Sequence, residues 1–227
     1  TWRSVTVGAQ TCGIRSDATL WCWGSNATGM LGEGTTTQYL VPNQVGTDHW
    51  ASVDAGNGYT CAIRSDATLW CWGFGAQGQL GYSTAPRQNT NVPGEVTGGG
   101  SWKSVSAGAM STCGIRSDDS LWCWGDNWRG QLGDGTTTGH TAPARVGTET
   151  WKAVTIAGSV DVVIVGLEYS HGNDHTCAVR SDDTLWCWGW NATGEVGDGT
   201  TTDQTVPVQV GTATWKSVSK LGPAETM

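Results

Sequence analysis

Eight cysteines carry the most chemistry in this sequence, and they fall as four pairs at one spacing. Cys12/Cys22, Cys61/Cys71, Cys113/Cys123 and Cys177/Cys187 are each separated by nine residues. Two chemistries compete for such a set. Zinc sites use short Cys spacings with recurring histidines, and neither accompanies these pairs. Disulfides need only that two cysteines meet, and eight cysteines allow many pairings. Internal repetition favours pairing within each repeat, which implies an oxidising compartment.

The other reactive side chains form no comparable pattern. His49, His140, His171 and His175 are scattered, with Asp174 between the last two. No nucleophile elbow and no His-Glu-x-x-His helix occurs, so the chain is not read as an enzyme and no cofactor is expected. The Gly-Asp-Gly-Thr-Thr-Thr segments around Asp134 and Asp198 have too few carboxylates for calcium, and their Asp residues are expected to cap turns. Two sequons, Asn26-Ala27-Thr28 and Asn191-Ala192-Thr193, occupy equivalent places and are candidate glycosylation sites. Trp21/Trp23, Trp70/Trp72, Trp122/Trp124 and Trp186/Trp188 recur in every repeat and are expected to pack the core. Trp128 and Trp190 lie in loops without recurring in every repeat. A loop Trp suits stacking on a sugar or burial in a partner, so these two are the binding candidates.

The elements that position these residues can be read from Thr60 to Gly73, TCAIRSDATLWCWG, whose counterparts run Thr11 to Gly24, Thr112 to Gly125 and Thr176 to Gly189. Two β-rich arms flank a polar centre, as in a hairpin. A three-residue loop of Ser65, Asp66 and Ala67 places Cys61 opposite Cys71, Ile63 opposite Leu69 and Ala62 opposite Trp70. Opposed residues of a non-hydrogen-bonded pair are near disulfide distance. Such a loop needs a left-handed third residue, here Ala18, Ala67, Asp119 or Asp183. Cys61, Ile63, Leu69 and Cys71 then share one face, with Thr60, Ala62, Trp70 and Trp72 on the other. Both faces are apolar, as in a sheet packed between sheets.

Composition agrees. The 227 residues include 34 Gly and 15 Trp but one Phe, and 14% are charged. No long segment has helical periodicity, so the fold class is all-β. The net charge of −8, without a basic stripe, argues against nucleic-acid binding. No apolar run is long enough to insert in a membrane, and no leader peptide is recognisable. The chain opens inside a repeat at Thr1-Trp2, as a mature protein or a fragment would.

Each repeat begins with Trp-x-Ser/Ala-Val (Trp2, Trp50, Trp102, Trp151), continues through the hairpin and a Gly-rich turn, and closes with Pro-x-x-Val. The repeats span about 1–48, 49–100, 101–149 and 150–213 within a single domain, 1–227, and a partial fifth covers 214–227. Four strands at a period near fifty are expected to build a β-propeller blade. Repeat four carries an insertion around 156–171, whose Val160 to Val165 run could form a strand or a contact surface.

The pattern W-K-S-V-S-A-G, T-C-x-I-R-S-D-x-x-L-W-C-W-G, G-Q-L-G-D-G-T-T-T and P-x-x-V resembles the regulator-of-chromosome-condensation repeat family over nearly the whole chain. It is most similar to cysteine-stapled members in secreted and cell-surface proteins. The resemblance implies a propeller, usually of seven blades. Four blades and a stub leave three arrangements: a small ring, part of a larger ring, or blades completed between chains through the end strands Trp2-Val5 and Trp215-Val218. Guanine-nucleotide exchange, the activity of the family's nuclear namesake, fits a stapled acidic chain poorly.

The expectation is a secreted or cell-surface propeller without catalytic activity. It would act in protein interaction, adhesion or self-assembly. Glycan binding is the alternative, with one shallow site per blade, and enzyme inhibition is a further one.

Overall fold

Each stapled hairpin has the register its spacing implies. Cys61 lies opposite Cys71, Ile63 opposite Leu69 and Ala62 opposite Trp70, and the other three hairpins repeat this pairing. The third loop residues are left-handed, with φ of 66° at Ala18, 69° at Ala67, 66° at Asp119 and 72° at Asp183. In each loop the Asp before this residue accepts the main-chain N–H two residues on, as Asp66 does from Thr68 at 3.0 Å. That bond closes the turn.

The computed structural model of the chain describes residues 1–82, 88–158 and 174–219. Most of the repeat-four insertion, including His171 and the Val160 to Val165 run, lies outside the described residues. The described part is all-β, in four antiparallel sheets. Blade one holds β1 (Trp2–Val7), β2 (Gln10–Arg15), β3 (Leu20–Gly24) and β4 (Tyr39–Gln44). Blade two holds β5 (Trp50–Ala55), β6 (Tyr59–Arg64), β7 (Leu69–Gly73) and β8 (Thr90–Glu95). Blade three holds β9 (Trp102–Ala107), β10 (Ser111–Arg116), β11 (Leu121–Gly125) and β12 (His140–Arg145). Blade four holds β13 (Trp151–Ala157), β14 (His175–Arg180), β15 (Thr184–Gly189) and β16 (Gln204–Thr214). Every sheet is a meander in which consecutive strands pair.

The first strands β1, β5, β9 and β13 contact one another in succession, and each second strand contacts the next blade's first strand. The core is therefore divided among the blade junctions. Ile14, Leu20 and Leu31 of blade one pack with Trp50 and Trp72 of blade two. Ile63, Leu69 and Leu80 pack with Trp102 and Trp124, and Ile115, Leu121 and Leu132 pack with Trp151 and Trp188. In blade four, Val179, Leu185 and Val196 are buried, and Val218 of the fifth-repeat stub packs beside them. No helix of the described residues is long and apolar enough to cross a membrane.

Candidate functional site

All eight cysteines are paired within their own repeats. The disulfides are Cys12–Cys22, Cys61–Cys71, Cys113–Cys123 and Cys177–Cys187, each with Cα atoms 4.1 Å apart. Cys22, Cys71, Cys123 and Cys187 sit on the third strand of their blades, directly across from Cys12, Cys61, Cys113 and Cys177 on the second. They staple the blades, and no free thiol is left among them for catalysis or metal binding.

The hairpin Trp residues pack the core as expected: Trp72, Trp124 and Trp188 are fully buried, and Trp70, Trp122 and Trp186 pack against the same clusters. On the face opposite each disulfide the first hairpin Trp is half-buried, not sealed in the core. The guanidinium carbon of the hairpin Arg lies over that ring: Arg15 at 3.8 Å from Trp21, Arg64 at 3.6 Å from Trp70, Arg116 at 4.1 Å from Trp122 and Arg180 at 3.6 Å from Trp186. The strand-opening Trp lies about 5 Å from the same guanidinium, so each Arg contacts two indoles. The indole N–H of Trp70 donates to the Thr68 hydroxyl at 2.8 Å, and Thr68 donates to Asp66 at 2.6 Å. This relay recurs in all four blades. The hydroxyl bond holds the Asp carboxyls below the usual carboxylate range.

The sequon asparagines have structural roles. Asn26 is buried; its side-chain amide donates to Glu33 and to the Thr35 and Thr37 carbonyls, and its oxygen accepts from Leu31. Asn191 does the same with Asp198, Thr200, Thr202 and Val196. Asn127, outside any sequon, repeats the pattern. In the folded chain these amides hold the Gly-rich turn instead of facing solvent. Asp134 and Asp198 accept from Thr136 and Thr200 in their own turns.

Trp128 is 58% exposed beside Arg129, which pairs with Asp203 at 3.2 Å. Trp190 is half-buried, and its main-chain N–H donates to the Asp174 carbonyl at 3.0 Å. The two do not share a position: Trp128 corresponds to Ala27, Ala76 and Ala192 in the other repeats. His140 meets Asp134 at 2.6 Å, and His175 is buried enough to lower its pKa. Among the described residues no group of three or more His, Cys, Asp or Glu is placed to hold a metal.

The blade junctions carry one arrangement in three internal copies. The Met30 carbonyl of blade one accepts the Trp72 indole N–H at 2.9 Å and the Thr60 hydroxyl at 2.8 Å. The Gln79 carbonyl receives Trp124 and Thr112 at the same distances, and that of Gln131 receives Trp188 and Thr176. Glycines make room for this approach. A Cβ on Gly32 would lie 2.4 Å from the Trp72 indole nitrogen, and one on Gly133 would lie 2.5 Å from that of Trp188. Gly29, Gly78 and Gly130 likewise admit Asn91, Thr141 and Thr205 of the next blade's outer strand.

Blade one carries the incoming half of this junction, and its side chains there are exposed among the described residues. Trp2 is 43% exposed, whereas Trp50, Trp102 and Trp151 are buried. Leu40, the counterpart of Asn91, Thr141 and Thr205, is 84% exposed. Blade four has the receiving half: nothing described lies within 4 Å of a Cβ on Gly194, and Gly197 meets only its own blade's Val210. The stub begins a fifth blade in register. Trp215 donates its N–H to the Asp183 carbonyl at 2.8 Å, as Trp50, Trp102 and Trp151 do to Ala18, Ala67 and Asp119, yet its side chain is 41% exposed. Sequence reasoning singled out the end strands but missed Leu40, Gly194 and Gly197. The available signal was the recurrence of Gly-x-Leu/Val-Gly and of Thr before the first Cys.

Comparison with known proteins agrees with this architecture. The chain is 31% identical over 204 residues to the ultraviolet-B receptor UVR8 of Arabidopsis thaliana, covering 83% of this chain and 41% of the receptor. It is 35% identical over 89 residues to the protein RCC2 homolog of Danio rerio, covering 39% of this chain and 16% of that protein. Yeast RCC1 (Prp20), solved bound to Kap60, superposes with a TM-score of 0.77 at 18% identity, over 93% of this chain and 49% of that one. The chain thus spans half or less of the length of these relatives. The model of the regulator of chromosome condensation (RCC1) repeat matches residues 17–63, 66–115 and 118–165, well over half of the sequence, and the chain belongs to that family.

Proposed function

We propose that this chain is a non-catalytic, extracellular interaction propeller that binds polypeptides, including its own kind, through the faces of its terminal blades. One observation carries the reading: Trp2 and Trp215 are exposed, while their three internal counterparts are buried against a neighbouring blade. An exposed apolar face of this kind marks a contact surface. The disulfides support an oxidising compartment, so secretion or cell-surface display is part of the proposal. Yeast RCC1 was solved with a protein bound, which supports protein partners by analogy of fold alone.

Replacing Trp2 with a photo-crosslinking amino acid tests the reading in the native extracellular milieu. The expected result is covalent capture of a polypeptide, identified by mass spectrometry. A control probe replaces Val92, an exposed residue on the outer strand of internal blade two. Capture at Val92 with none at position 2 would reject the proposal.

A glycan-binding reading has one observation in its favour, the exposed indole of Trp128. It would give one site on blade three, since no other repeat has Trp at that position. Retention of glycan-array signal by Trp128→Ala would reject it.

A further inference from the structure

The β5–β6 turn of blade two holds the one Asn-Gly pair in the sequence, Asn57-Gly58; every other asparagine is followed by a larger residue. The turn is pinned on both sides of that pair. Gly56 donates its main-chain N–H to the Tyr59 carbonyl at 2.9 Å, and Asn57 donates its own to the Gly108 carbonyl of blade three at 3.1 Å. The Gly58 carbonyl accepts the Thr28 hydroxyl at 2.6 Å and the Phe74 N–H at 2.8 Å. The reactive groups between these anchors are left unengaged. Asn57 is exposed, and among the described residues neither its side-chain amide nor the Gly58 N–H makes a hydrogen bond. Gly58 has φ of 81°, a left-handed value that suits glycine, and it carries no Cβ to hinder the approach of its nitrogen to the amide carbon.

We propose that Asn57 is a self-modification site, at which the Gly58 nitrogen converts the side-chain amide into an acid. The Gly58 nitrogen gives up its proton to water or hydroxide and attacks Asn57 Cγ. The N–Cγ bond forms, the Cγ–Nδ2 bond breaks, and Nδ2 takes up a proton and leaves as ammonia. Water then opens the five-membered imide at one of its two carbonyls. Opening at one gives aspartate. Opening at the other gives isoaspartate, whose main chain runs through Cβ and Cγ and is longer by a methylene. No cofactor or binding partner enters either step.

Other positions are held out of this chemistry. The amides of Asn26, Asn127 and Asn191 are occupied in their own turns. Asp134-Gly135 and Asp198-Gly199 can form the same imide by losing water. Their carboxylates are held by Thr136 and Thr200, and an ionised carboxylate is a poor target for a nitrogen nucleophile. The change at Asn57 reaches the blade junction. The Asn57–Gly108 bond ties the inner turns of blades two and three, and Asp54 near the end of β5 accepts the Ala107 N–H of blade three at 2.8 Å. The new carboxylate adds negative charge beside this contact, and isoaspartate lengthens the turn between its anchors. The junction therefore weakens as the protein ages.

The test incubates the oxidised full chain in mildly alkaline buffer at body temperature and follows each asparagine by tandem mass spectrometry. An isoaspartate-specific carboxyl methyltransferase gives a second readout, and the reduced, urea-unfolded chain is the reference for the unconstrained reaction. In the folded chain Asn57 should convert several-fold faster than any other asparagine, mostly to isoaspartate, with ammonia released in equal amount. Asn57→Gln, an exposed change that leaves the fold intact, should abolish the methyltransferase signal. The aged chain should unfold at lower urea than the fresh one, and fresh Asn57→Asp should show a smaller shift, because it adds the charge without lengthening the turn. If Asn57 stays intact in the folded chain while the unfolded chain converts, the buried Gly58 nitrogen is protected and the proposal is overturned. Conversion of Asn26, Asn127 or Asn191 at an equal rate overturns it as well. Full conversion with an unchanged urea midpoint overturns the junction consequence.

Discussion

The Asp174 carboxylate of blade four accepts the Ser111 hydroxyl of blade three at 2.8 Å, across the junction between them. It also accepts the main-chain N–H groups of Ala109 and Met110 at 3.3 and 3.2 Å. Burial raises its pKa from 3.8 to about 6 against the pull of these bonds, with the Asp126 charge adding to the rise. Because the folded value lies above the unfolded one, this group stabilises most below pH 3.8, and its contribution is lost as pH rises through about 6. A shift of this size corresponds to roughly 3 kcal/mol. Burial lowers His175, so that residue opposes the trend, losing stability on acidification through its unfolded range near 6.5. Comparing Asp174→Asn with the parent chain at each pH isolates the carboxyl. Chemical denaturation should show the difference between the two changing between about pH 4 and pH 7; a constant difference would contradict the assignment.

The left-handed Ala67, at φ 69°, gives a prediction of opposite sign to the usual glycine substitution. Ala in this conformation is strained by about 1 kcal/mol, and glycine is not. Glycine also adds freedom to the unfolded chain, which offsets part of the gain. Ala67→Gly and Ala18→Gly should each raise stability by roughly 0.5 kcal/mol, measured by urea denaturation. Asp119→Gly should gain less, because Asp119 also pairs with Lys103.

Removing one staple with the double change Cys61→Ala, Cys71→Ala should lower stability by about 2–3 kcal/mol, the effect expected of a short-loop disulfide. The hairpin should keep its register, because Ile63 and Leu69 remain opposed and buried. Hydrogen exchange of the Ile63 and Arg64 amides should still report a closed hairpin at low temperature.

Truncating the buried Asn127 to Ala leaves Leu132 and the Thr136 and Thr138 carbonyls without its amide. Stranding buried polar groups costs about 1–3 kcal/mol each, so thermal unfolding should show a loss of about 2 kcal/mol or more. Asn26→Ala and Asn191→Ala should behave alike. Because the same amides are occupied in the folded chain, material secreted from eukaryotic cells should show no mass change on glycosidase treatment.

The hairpin is legible in the sequence because it needs only period-two alternation and one loop length. Cys61 opposite Cys71 follows once Ser65, Asp66 and Ala67 form the loop, and the left-handed third residue follows with it. The role of Asn26 is not legible in the same way. A sequon describes three residues, whereas the fate of this amide depends on Glu33, Thr35 and Thr37 further along the turn. Recurrence alone makes Trp21, Trp70, Trp122 and Trp186 read as core, but it does not distinguish burial from stacking on Arg. The junction surfaces are legible only in outline. Leu40 reads as an ordinary strand residue, and period-two alternation does not show that it is exposed where Asn91, Thr141 and Thr205 meet the glycines of the preceding blade.

The most direct test of the account is hydroxyl-radical footprinting of the oxidised chain at low and high concentration, read at individual indoles. The account predicts that Trp2 and Trp23 lose reactivity as concentration rises, while Trp128 stays reactive. Protection of Trp128 with Trp2 and Trp23 unchanged would contradict it and place the contact surface on the loops of blade three.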